Sequence, residues 1–164
     1  MNIKYVFLLL SFSLIGQTLL AQMPGSRNSP PKLNAIKKAR IVTYDTEKVI
    51  KKLKIKENSI AEETSTHFQT YNLEMENLLS LHSATLVDLD KEFDKNVKIA
   101  IQNRDRSQMS GVKKKIRQTI PPIRNEVNEH EKVLNEALES ILTEKQNKKW
   151  LKYQKRKNPN TPHF

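Results

Sequence analysis

Apolar side chains recur along most of this chain at intervals of three and four. From Ile60 the series runs Thr64, Phe68, Tyr71, Met75, Leu78, His82, Leu86, Leu89, Phe93, Val97 and Ala100, with charged or polar residues between. That period places one stripe on one face of an α-helix. A helix from Ser59 to Asn103 would be about 67 Å long at 1.5 Å per residue. The pattern lapses in Asn103-Arg-Asp-Arg-Ser-Gln-Met-Ser-Gly111 and resumes with Met109, Val112, Ile116, Ile120, Ile123, Val127, His130, Leu134, Leu138 and Ile141. A turn is therefore expected near residues 104–108. The second stripe keeps phase through Pro121-Pro122, which predicts a kink or a stop and restart there rather than a loop.

Shorter elements flank these two. Asp45 is a candidate N-cap for a helix carrying Val49, Ile50 and Leu53. Ser59 and Glu62, like Thr143 and Gln146, stand three apart at the start of helical patterns, as the two halves of a capping box do. Between Lys32 and Asn158 there is one glycine, Gly111, and the only prolines are Pro121 and Pro122. The expected fold is all-α: two long antiparallel helices in a hairpin, with a short helix near each open end. With the turn centred near 106, facing residue numbers should total about 212. Narrow stripes bury little in one hairpin, so a homodimer is expected.

The ends read differently. Residues 1–21 carry one charge, Lys4, an apolar run and a small residue at Ala21, the pattern of a cleaved secretory signal peptide. Residues 22–40, with Pro24, Gly25, Pro30 and Pro31, read as a flexible lead to a helical domain over 41–157, and residues 158–164 as a disordered tail. The destination this implies lies outside the cytoplasm. The chain has no cysteine, so disulfides and thiolate metal sites are excluded.

Lysine and arginine number 29 against 18 acidic residues, a net charge of +11. Export argues against a nucleic-acid partner, and Trp150 and Tyr153 are too few for a stacking platform. Anionic envelope surfaces and acidic unfolded chains suit the charge better. No nucleophile elbow, phosphate loop or zinc-protease helix is present, so no enzyme is expected. Among the histidines, His82 and His130 total 212 and are expected to meet inside the hairpin. The simpler reading is an inward pair satisfied by each other or by water. The sharper one is a Zn²⁺- or pH-responsive pair with Glu126 as third ligand.

Leu142-Thr143-Glu144-Lys145-Gln146 resembles the LTxxQ motif of the Spy/CpxP family of bacterial periplasmic proteins, whose members carry it near both ends of a helical hairpin that dimerises into a curved cradle. At the first position this chain has Asn58-Ser59-Ile60-Ala61-Glu62, which keeps hydroxyl and carboxyl but replaces the leucine by Asn58. The resemblance covers roughly residues 44–157. It implies an ATP-independent chaperone that binds unfolded or partly folded envelope proteins, with a zinc-responsive or regulatory envelope-stress protein as the alternative. On that reading Lys148, Lys149, Trp150, Lys152 and Tyr153 are candidates for client contact.

Overall fold

In a computed structural model of the chain, residues 30–158 are described. The expected signal peptide, most of the expected lead and residues 159–164 lie outside them. Among these residues five helices follow one another: α1 (Ala35–Ala39), α2 (Thr46–Leu53), α3 (Asn58–Gln102), α4 (Met109–Ile141) and α5 (Glu144–Lys157). Among the described residues there is no strand, and no helix is long and apolar enough to cross a membrane.

The long helices form where the stripes predict them. Thr64, Phe68, Tyr71, Met75, Leu78, Leu86, Leu89 and Val97 of α3 are buried, as are Met109, Val112, Ile120, Ile123, Val127, Leu134 and Leu138 of α4. The contacts between them include His82 with Glu126 and Lys115 with Glu92. The numbers of these paired residues total about 208 rather than the expected 212. The difference is about one helical turn, and it moves His82 from His130 to Glu126.

Pro121 and Pro122 lie inside α4, which continues without a restart. Both are exposed, as are Arg117 and Gln118, whose carbonyls lose their usual donors there. Water can satisfy those oxygens, which lowers the cost of proline within the helix.

Two apolar clusters share the long helices. One gathers Tyr44, Val49, Leu53, Phe68, Tyr71, Met75, Leu78, Val127, Leu134, Leu138, Leu142, Trp150 and Tyr153. The other joins Leu86, Leu89, Val97, Met109, Val112, Ile120 and Ile123 to Leu33, Ala35 and Ala39. His82 stands in sequence between Leu78 of the first and Leu86 of the second. The α3 stripe thus has its polar interruption at the point where the clusters part.

The expected flexible lead ends sooner than its composition suggested. Asn34 caps α1 by accepting from the Lys37 amide at 2.8 Å, and Ala35 and Ala39 are fully buried. The Ala35 amide donates to Asp90 Oδ1 of α3 at 2.8 Å, and Arg124 Nη2 of α4 donates to the Lys38 carbonyl at 2.8 Å. Five residues cannot sustain a helix alone. These ties to both long helices, with the small side chains of Ala35 and Ala39 allowing close approach, hold α1 in place.

Farther on, Asn72 clamps the segment before α2. Its side chain accepts from the Tyr44 amide at 2.8 Å and donates to the Tyr44 carbonyl at 2.7 Å. Asp45 then caps α2 as expected, accepting from the Lys48 amide at 3.0 Å.

Candidate functional site

The five residues Leu142–Gln146 make the entry to α5. Leu142, at the end of α4, is buried in the first cluster. Thr143 is the N-cap: its hydroxyl accepts from the Gln146 amide at 3.3 Å, while Gln146 Oε1 accepts from the Thr143 amide at 3.0 Å. The leucine therefore anchors the corner and the capping box sets the direction of the helix leaving it. Its expected counterpart does not form. Helix α3 begins at Asn58 with Glu57 as its uncapped N-cap residue, and the Ser59 hydroxyl donates back to Glu57 Oε1 at 3.1 Å. Already inside the first turn, Ser59 cannot reach forward to Glu62 as an N-cap does.

Trp150 seats α5 on the rest of the chain. Its ring lies 5.0 Å from Tyr44 and 5.0 Å from Phe68, edge-on to both, and its Nε1 donates to Asn135 Oδ1 of α4 at 2.7 Å. Asn135 in turn donates to Gln154 Oε1 at 3.3 Å. Trp150 is fully buried and Tyr153 nearly so. This corrects the expectation that these two aromatics contact a client. A buried indole with its N–H satisfied and aromatic rings packed around it contributes to the core.

With Trp150, Tyr153 and Gln154 turned inward, the opposite side of α5 is cationic. Lys145, Lys148, Lys149 and Lys152 line an open surface cavity of about 410 Å³ together with Glu144. Lys148 pairs with Glu144 at 2.5 Å, while on the inward side Lys52 of α2 places its Nζ 5.2 Å from the centre of the Tyr153 ring. Lys145 and Lys149 take part in no ion pair among the described residues. The three expected cations Lys148, Lys149 and Lys152 therefore share one surface. Lys145 belongs with them.

A buried polar lock was not expected from the pattern. Arg40 donates through Nη2 to Glu131 Oε2 at 2.7 Å, through Nη1 to Asn128 at 2.9 Å and through Nε to Asn158 Oδ1 at 2.8 Å. Asn158 donates to Glu131 Oε1 at 2.8 Å. Arg40, Glu131 and Asn158 are all buried. Asn158, expected in the disordered tail, is thus held at the end of α5. Burial raises the Glu131 carboxyl pKa, and the Arg40 charge and the hydrogen bonds from Asn158 and Arg40 pull it back. Burial likewise raises Tyr44 and Tyr71, with Glu131 adding to both.

The signal for Glu131 was present but ambiguous. Val127, Glu131, Leu134 and Leu138 keep the same helical spacing as the series through His130. In the structure Glu131 faces inward and His130 is half-buried. His82 reaches Glu126 at 3.7 Å, too far for a hydrogen bond. Among the described residues no three His, Asp or Glu side chains converge to hold a metal, so His82, His130 and Glu126 do not form the expected ligand set.

Comparison with known proteins finds no matching family model, no matching curated protein and no matching solved structure.

Proposed function

We propose that this chain is an ATP-independent, chaperone-like periplasmic protein that binds unfolded or partly folded envelope proteins. Its two long helices would form an antiparallel hairpin, and two hairpins a dimeric cradle. The observation that carries the reading is the exposure of large apolar side chains on a strongly cationic chain. Leu73 is 56% exposed, Leu81 72%, Ile101 60% and Val133 64%. These side chains are apolar surface that another polypeptide would cover on binding. The lysines of α5 supply the complementary part, attracting acidic segments from a distance before apolar contact is made. The capping box at Thr143 and Gln146 supports the same reading, because it stands where the resemblance to the LTxxQ motif puts it.

The test is aggregation of an unrelated denatured protein, followed by light scattering with no nucleotide present. Near-stoichiometric protein is expected to suppress it. Replacing Lys148, Lys149 and Lys152 together by glutamine is expected to slow capture of acidic clients while leaving the helix content unchanged. Failure to suppress aggregation of several clients at low and moderate salt would overturn the reading. A zinc-responsive role is the second reading; His82 and Glu126 would supply two of the three or four donors such a site needs.

A further inference from the structure

Where α3 and α4 meet at their connecting turn, the surface opens into a groove of about 620 Å³. Phe93, Val97 and Ile101 of α3 and Met109 of α4 form its apolar floor. From Phe93 to Ile101 the floor spans two helical turns, about 12 Å. Arg104 and Arg106 of the turn and Lys113 of α4 line the same groove, and no carboxylate does. None of these three cations takes part in an ion pair among the described residues. Phe93 and Lys113 also line a neighbouring groove of about 440 Å³, to which Lys38 and Arg117 add further positive charge.

We propose that this groove binds a single-chain anionic amphiphile, a free fatty acid, with its carboxylate on Arg104, Arg106 and Lys113 and its tail along Phe93, Val97 and Ile101. Charge complementarity selects the head. Guanidinium groups bind carboxylates through paired N–H donors, and here they have no acidic partner. The floor selects the tail. An extended peptide laid along it would bring backbone N–H and C=O groups onto side chains that offer no hydrogen bond, at a cost for each group left unpaired. A hydrocarbon tail has no such groups. The volume suits one chain rather than a two-chain lipid, and Phe93 is the groove's single aromatic, too little to stack a run of bases. The site shares Ile101 with the exposed apolar residues of the chaperone reading but none of the α5 lysines, and it does not depend on that reading.

The experiment is isothermal titration of the full chain with laurate below its micelle concentration. A dodecyltrimethylammonium titration keeps the tail and reverses the head charge. Saturable binding of laurate, and none of the ammonium compound, is expected. Replacing Arg104, Arg106 and Lys113 together by glutamine should weaken laurate binding at least tenfold. Ile101→Ser, at a side chain 60% exposed and so tolerant of change, should weaken it several-fold with the helix content intact. Equal binding by wild type and both variants would overturn the proposal. So would binding of phosphatidylglycerol vesicles or of an acidic, apolar peptide more tightly than laurate with the same dependence on these residues, since the groove would then serve a membrane surface or a polypeptide.

Discussion

Arg40 and Glu131, 91 positions apart in the chain, meet at 2.7 Å with both side chains almost wholly out of water. Through Asn128 and Asn158 the same pair ties the end of α1 to α4 and to the last turn of α5. Removing one member of such a pair strands the other charge in a medium that solvates it poorly. Arg40→Met is therefore expected to cost about 3–5 kcal/mol, read from urea midpoints. The double variant Arg40→Met, Glu131→Met should recover a large part of that loss. If the single and double variants are equally unstable, the pair is not what holds these three segments together.

The same carboxyl makes stability depend on pH. Its folded pKa is raised above the ordinary 4.5, with burial as the leading cause. A group that holds its proton more tightly when folded contributes most below its unfolded pKa and loses that contribution as pH rises through the folded value. Wild type is expected to lose stability relative to Glu131→Gln as pH climbs from 4.5 upward. Denaturant titrations of both proteins across that range check the sign. A difference that grows in favour of wild type would contradict it.

The two hydroxyls that look equivalent in sequence should behave differently. Thr143→Ala removes a cap that is made and should cost about 1 kcal/mol. Ser59→Ala removes none, so its effect should stay within about 0.5 kcal/mol. Thermal melts of the two variants side by side measure this.

Trp150 is the chain's single tryptophan, so its fluorescence reports on the seating of α5 directly. Trp150→Ala should destabilise by about 3–5 kcal/mol through lost packing. Asn135→Ala leaves the indole N–H without its acceptor and should cost about 1–3 kcal/mol. The emission of the Asn135→Ala protein should shift to the red at lower urea than wild type. Coincident transitions would mean that the bond contributes nothing.

Zinc titration addresses the histidines. His82 and Glu126 supply two donors where a tight site needs three or four. Calorimetry is therefore expected to give equal, weak heats for wild type and His82→Ala. A strong signal lost in the variant would restore the metal-responsive reading.

Where the four longer helices run, and which face α3 and α4 bury, was legible from the spacing of apolar residues, because an α-helix brings positions three and four apart onto one side. The same local logic located the turn between Gln102 and Met109, the Asp45 cap and the Thr143 box. It stopped at questions local spacing does not touch. Glu131 and His130 fit the stripe equally well, and only the position of Arg40, 91 residues earlier, makes the glutamate the one that can be buried. Residues 35–39 have neither the length nor the apolar bulk to predict order, and they are ordered because Asp90 and Arg124 receive their backbone. Trp150 faces inward for the same kind of reason: Tyr44, Phe68 and Asn135, from three separate segments, form the site that covers its ring and accepts its N–H. Periodicity is a property of neighbours along the chain, so the sequence by itself determined the four longer helices and the buried faces of α3 and α4. A charge or an indole leaves water only where distant partners repay its desolvation, and only the tertiary structure decided that.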